Sequence, residues 1–264
     1  MMINGLVAPS AAPAWAIEAA GLTKTYGAFT AVQDMTLRVR PGEIYGFLGP
    51  NGAGKTTTIK MLVGLLKPSG GVARIVGYDV QRQPLQAKAC LGYVPDQPIL
   101  YDKLRGREFL TFMARLYRVD GRTAQRRADD LLRVFDLSDA ADHLVEGYSH
   151  GMRQKLALAG ALIHRPSVLF LDEPIVGLDP KSARLIKDLL LQLREAGVAV
   201  MMSTHILEIA ERMCDRVGII FNGRLIAEGT VAELHALQGG GSLEEIFLSL
   251  TGGADYAELA RVLA

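Results

Sequence analysis

Gly49-Pro50-Asn51-Gly52-Ala53-Gly54-Lys55-Thr56 decides how this chain is read. The stretch fits the pattern G-x-x-x-x-G-K-[ST], and its flanks supply the context that pattern needs. Ahead of it, Ile44-Tyr45-Gly46-Phe47-Leu48 is apolar and predicts a buried strand; behind it, Thr57 to Leu66 predicts a helix. Glycines let backbone N–H groups close around a polyphosphate, and the start of the helix adds partial positive charge. Lys55 can reach the β- and γ-phosphates, and the Thr56 hydroxyl can ligate Mg²⁺. Gly49, Pro50, Asn51, Gly52, Ala53, Gly54, Lys55, Thr56 and the adjoining Thr57 are therefore candidate nucleotide ligands. A glycine-rich turn with a chance lysine would not require the strand and the helix. The pattern implies a nucleoside-triphosphate site.

Composition bounds what surrounds it. A chain of 264 residues, 49% of them hydrophobic, can hold one large domain, or one domain with an inserted subdomain. No uninterrupted apolar run reaches the ~18 residues a membrane span needs. A formal charge of +1 gives no general attraction to nucleic acid, and none is expected as a partner. The two cysteines, Cys90 and Cys214, form no metal or disulfide spacing, which suits a reducing cytoplasm. Met1 to Ala14 lacks the basic residues and apolar core of a signal peptide and is expected to be a disordered tail.

Along the chain, a β-rich opening gives way to a helical middle and an alternating α/β end. Ala14 to Ala20 and Met35 to Val39 predict strands flanking Tyr26-Gly27, with further strands at Val72 to Val76 and Leu91 to Val94. From about Arg105 to Leu162 the pattern is helical: Phe109, Phe112, Met113 and Leu116 recur at helical spacing, and Leu131, Leu132 and Phe135 continue it. Val168 to Asp172 is a continuous apolar strand, as expected of a parallel sheet covered on both faces. A helix (about Lys181 to Glu195) and a strand (Val198 to Ser203) follow. Val217 to Phe221 and Arg224 to Ala227 predict a hairpin joined by Asn222-Gly223, a pair suited to a primed turn. Gly239 to Gly241 is a flexible break. After it, Leu243, Ile246, Phe247 and Leu250 mark one helical face.

The loop alone fits many phosphate-binding proteins, so the residues that follow must discriminate. Asp172-Glu173 closes the Val168–Leu171 strand. The aspartate can hold the water shell of Mg²⁺, and the glutamate can act as general base on a water. An acidic N-cap would give the same dipeptide. Ser203-Thr204-His205 ends the next strand, and in a doubly wound sheet the carboxyl ends of neighbouring strands converge on the ligand crevice. His205 is thereby placed to contact the γ-phosphate.

With these residues, the chain resembles the ATP-binding subunit of an ATP-binding cassette (ABC) transporter over roughly Trp15 to Gly252. The most specific segment is Tyr148-Ser149-His150-Gly151-Met152-Arg153-Gln154-Lys155. It corresponds to the family signature Leu-Ser-Gly-Gly-Gln: Ser149 and Gly151 match, while Tyr148, His150 and Met152 depart. The segment opens a helix and offers a second anion site without a lysine or a carboxylate. The resemblance implies that Ser149 and Gly151 complete the ATP site of an opposite subunit. A Ser-capped helix start alone would look the same. The resemblance further makes Tyr26 the aromatic residue that stacks on adenine, and the Asp179 loop (Gly177-Leu178-Asp179-Pro180) the segment that crosses between subunits. Asp179 before Pro180 also suits a helix N-terminus. Where the family has a Mg²⁺-sensing glutamine, this sequence has Asp96, with Gln97 next; both are candidates, and Asp96 is the favoured one.

The expectation is an α/β P-loop NTPase core with a mainly parallel sheet, a β-rich edge subdomain and an inserted helical subdomain at about 97–162. The ATPase domain is expected over 15–238, with a helical tail over 239–264. The resemblance implies ATP and Mg²⁺ as cofactors, and Glu173, His205 and Lys55 as catalytic residues. The partners it implies are a second copy or a paralogous ATPase subunit and an integral membrane permease. Together these place the chain at the cytoplasmic face of the membrane. Similarity to one branch, carried by Gly92 to Asp96, Tyr148 to Gln154 and Ser242 to Phe247, points to bacterial export. A soluble assembly-factor ATPase is the alternative, and a non-catalytic nucleotide-dependent scaffold is a weaker rival.

Overall fold

The computed structural model describes residues 14–237 and 242–251. Residues 1–13 of the tail expected at 1–14, the glycine break at 239–241 and the end of the chain from 252 lie outside them. The chain opens with an antiparallel pair, β1 (Ile17–Tyr26) and β2 (Phe29–Val39), then β3 (Ile44–Leu48) and helix α1 (Lys55–Leu62). β4 (Gly70–Ile75), β5 (Tyr78–Asp79) and α2 (Pro84–Ala89) lead to β6 (Leu91–Val94). The helical stretch holds α3 (Gly106–Leu116), α4 (Gly121–Val134), two single 3-10 turns and α5 (His150–Leu162). Alternation then resumes with β7 (Val168–Asp172), α6 (Pro180–Glu195), β8 (Ala199–Thr204) and α7 (Leu207–Met213). The hairpin β9 (Arg216–Phe221) and β10 (Arg224–Thr230), then α8 (Val231–Leu237) and α9 (Leu243–Thr251), complete it.

Two sheets result. One has the order β10-β9-β3-β8-β7-β6 and is parallel except for β10; the other, β2-β1-β4-β5, is antiparallel. The alternation of side chains along a strand explains the unbroken apolar runs. Val168 and Phe170 of β7 face the antiparallel sheet and α1, whereas Leu169 and Leu171 face the core built with the helical stretch and α6. Both faces are covered, so neither set of residues can be polar. Asn222 and Gly223 have φ of 48° and 76°, the double positive φ of a primed turn.

Several expected boundaries change. β1 and β2 extend to either side of a tight turn at Gly27-Ala28 and replace the shorter strands at Ala14–Ala20 and Met35–Val39, because cross-strand pairing continues through bulges. On α3 the buried face is Gly106, Phe109, Leu110 and Ala114, with Met113 packed against it; Phe112 is only half-buried and Leu116 is 60% exposed. The apolar spacing was real but its stripe was displaced. On α9, Leu243 and Ile246 are buried against α7 and α8, whereas Leu250 is exposed. No helix among the described residues is long and apolar enough to cross a membrane.

Candidate functional site

The carboxyl ends of β3, β7 and β8 lie side by side, because β3 pairs with β8 and β8 with β7, all parallel. The phosphate-loop residues leave β3 and enter α1, while Asp172-Glu173 and Thr204-His205 leave the other two strands. The phosphate-loop residues and Asp172-Glu173 border a cleft of about 320 Å³ lined by Pro50, Asn51, Gly52, Gly54, Lys55, Thr56 and Thr57, together with Asp96, Asp172, Glu173, Tyr26, Phe29 and Ala31.

Two glycines of the loop are dictated by close backbone approach. A Cβ on Gly49 would lie 2.4 Å from the Ile220 carbonyl oxygen, and one on Gly54 2.7 Å from that of Ala31. Gly54 also caps α1 at φ 107°, where an L side chain is strained. The same carbonyl of Ala31 abuts Gly223, whose amide donates to Ala53 at 3.0 Å. Loop, β2 and the β9–β10 turn therefore pack backbone to backbone, and the loop is held open by its surroundings.

The charged side chains converge inside this frame. Lys55 is buried and its ammonium donates to the carbonyls of Gly49 (2.6 Å) and Pro50 (3.2 Å), 3.9 Å from Glu173 Oε1. Burial lowers its pKa, opposed by the neighbouring Glu173 and Asp172 carboxylates. Asp172 accepts from the Thr56 hydroxyl at 2.8 Å and from the Ser203 hydroxyl on β8. Glu173 sits at φ +50°, a left-handed conformation that costs a non-glycine residue roughly 1–2 kcal/mol. Its amide donates to Ser203 (Oγ 3.2 Å, carbonyl 3.1 Å), which holds the bend. Its Oε1 lies 3.0 Å from His205 Nδ1, and its Oε2 is buried without a partner. A buried carboxylate oxygen with nothing to bind is a place for an incoming donor, such as a water.

Of the expected residues, Tyr26, Pro50, Asn51, Gly52, Gly54, Lys55, Thr56, Thr57, Asp96, Asp172 and Glu173 line one cleft, and the others do not. His205 reaches the site through Glu173 and is itself half-exposed. Gly49 and Ala53 lie behind the loop and form no part of the lining. Asp96 lines the cleft and Gln97 does not, although both are exposed. Ser149, Gly151 and Asp179 stand apart from the cleft: Ser149 caps α5 through its hydroxyl (3.3 Å to the Met152 amide), and Asp179 caps α6 (3.0 Å to the Ser182 amide). Tyr26 is 50% exposed at the rim with the Lys24 ammonium 5.0 Å from its ring centre. Two contributors escaped the sequence. Phe29 lies opposite Tyr26 across the turn, and its pairing with Tyr26 could be foreseen only by carrying β1 and β2 to Gly27. Ser203 was visible only as a strand end.

The family model described as ABC transporter matches residues 32–176, more than half of the chain. The daunorubicin/doxorubicin resistance ATP-binding protein DrrA of Streptomyces peucetius is 41% identical over 96% of this chain and 76% of its own length. The chain belongs to the ABC transporter family. Another relative, the linearmycin resistance ATP-binding protein LnrL of Bacillus subtilis, is 36% identical over 88% of this chain and 75% of its own. A solved ATP-binding subunit of an ABC transporter superposes with a TM-score of 0.84 at 35% identity, over 89% of this chain and 98% of that one. The cassette MJ0796, solved as a dimer in a post-hydrolysis state with ADP and Pi, gives 0.75 at 26% identity, over 81% and 98%. This cassette is thus a nucleotide-binding ATPase subunit.

Proposed function

We propose that this subunit hydrolyses ATP at the interface of two cassettes and drives export through a separate integral membrane permease. The observation that carries the reading is the division of the site within one chain. Lys55, Thr56, Asp172 and Glu173 share a cleft, whereas Ser149 and Gly151 form a second anion-directed helix start outside it. Head-to-tail pairing supplies each cleft with the Ser149–Gly151 segment of the other chain, a second copy or a paralogous subunit.

In that pair Tyr26 and Phe29 flank adenine, loop amides and Lys55 hold the phosphates, and Asp179 borders the crossing segment. Glu173 takes a proton from water as it attacks the γ-phosphorus, and the bond to the β–γ bridging oxygen breaks to release ADP and phosphate. His205 keeps the carboxylate aimed and, with Lys55, offsets charge on the phosphoryl group in transfer. The donor set fits Mg²⁺, which retains waters and phosphate oxygens: the Thr56 hydroxyl and the Asp172 and Asp96 carboxylates are among the groups that line the cleft. No group of three or more His, Cys, Asp or Glu side chains among the described residues could hold a metal by itself. When bound with nucleotide, the ion would supply charge neutralisation at the β- and γ-oxygens.

For the permease we assign the surface beside Asp96. Ile99 is 92% exposed, Tyr101 packs edge-on against Phe112 at 5.2 Å, and Leu116 is exposed nearby on α3. An apolar patch adjoining the Asp96 position suits a membrane protein's cytoplasmic segment, and it supports a peripheral site for this subunit at the cytoplasmic face. We take 15–238 as the ATPase unit and its helical part, about 97–162, as the portion that moves against the permease. The names of DrrA and LnrL concern resistance to daunorubicin/doxorubicin and to linearmycin, which supports export of a drug. The direct test is Glu173→Gln: it should bind ATP and accumulate a stable dimer while losing nearly all turnover.

A further inference from the structure

The first turns of α5 run alongside the segment that follows Glu173. A methyl group on Gly177 would lie 3.4 Å from His150 Nε2, and one on Gly151 would lie 3.7 Å from Leu178 and 3.8 Å from Asp179. Deeper along the same contact, Gln154 is only 4% exposed, and its amide N–H reaches the carbonyl of Pro174 at 3.5 Å. That bond is long, and the other end of the amide, Oε1, is buried without a partner.

A buried amide so poorly satisfied costs stability. A leucine or methionine of similar volume would fill the same space without that cost, so packing does not account for the glutamine. Its position does. Pro174 is joined by one peptide bond to Glu173, whose left-handed backbone and partnerless Oε2 make its aim sensitive to any shift of that peptide. We propose that Gln154 is a positioning residue for Glu173, tying the α5 start that presents Ser149 and Gly151 to the carbonyl just beyond the general base. The inference rests on the functional reading of those two ends given above. In a closed pair, the α5 start of each chain meets the nucleotide of one site while its own Glu173 serves the other. Gln154 thereby makes the aim of the base in one site depend on what fills its neighbour.

The test is steady-state ATP hydrolysis by the full chain carrying Gln154→Leu or Gln154→Glu, with thermal unfolding of the same samples. The leucine variant should melt at the same or a higher temperature and keep its KM for ATP, while kcat falls about tenfold or more. In the glutamate variant only the neutral carboxyl can donate to Pro174, and burial raises its pKa. Its kcat relative to the unmodified chain should therefore rise as pH falls. Wild-type kcat in the leucine variant would overturn the proposal. So would a fall in kcat that tracks a lower melting temperature in both variants, or loss of folding in both, since each marks Gln154 as a packing residue only. Absence of ATP hydrolysis by the unmodified chain would instead count against the functional reading itself.

Discussion

The proposed mechanism concentrates the chemistry into one strained residue, Glu173. Its φ of +50° turns the carboxylate back over Lys55, and Ser203 secures the bend with its hydroxyl and its carbonyl. Removing the base should cost about 10²-fold or more in turnover, with ATP affinity retained in Glu173→Gln, as equilibrium nucleotide binding beside phosphate release would report. Asp96 and Gln97 separate in the same assay. Asp96→Ala should raise the Mg²⁺ needed for half-maximal hydrolysis, whereas Gln97→Ala should leave it unchanged; the reverse pattern would reassign the role. A third residue-scale expectation concerns pH. His164 is held neutral by burial, assisted by the nearby Arg127 charge and opposed by its bond to the Leu91 carbonyl, with a pKa of about 4. The unfolded chain protonates this group near 6.5 and the folded chain does not until about 4. Stability should therefore fall as pH drops through that interval, by about 2 kcal/mol after allowing for partial solvent contact. Chemical denaturation at pH 7 and pH 4.5 should show a smaller difference in His164→Gln.

At the scale of elements, what could be read in the sequence depended on whether the signal was local. The phosphate loop, β7 and the Asn222-Gly223 turn were legible because glycine geometry and covered strands leave their mark within a few residues. The buried face of α3 was not, since helical spacing alone does not say which stripe will meet α4 and α5, and their packing chooses Leu110 and Ala114 over Phe112 and Leu116. Phe29 was missed for the same reason: a cross-strand pair needs the register, not the composition. The helix after the glycine break is also defined by distant contacts. Leu243 and Ile246 of α9 are fully buried with α7 and α8, so Leu243→Ala should lower stability by about 3 kcal/mol. A change under about 0.5 kcal/mol in denaturant unfolding would mean that α9 does not belong to this core.

For the whole molecule, the proposed division of the nucleotide site would set the behaviour. One chain carries a cleft lined by Lys55, Thr56, Asp96, Asp172 and Glu173, and outside it the Ser149-capped start of α5. Its fold and family membership follow from the sheet order and the matched relatives; the split site gives the reason why such a subunit should work in pairs. The most direct measurement is turnover per chain across a dilution series, with sedimentation of the same samples to report association. Turnover should fall toward zero as pairs dissociate and reach a plateau when they saturate. Undiminished turnover in samples that sediment wholly as single chains would contradict the account.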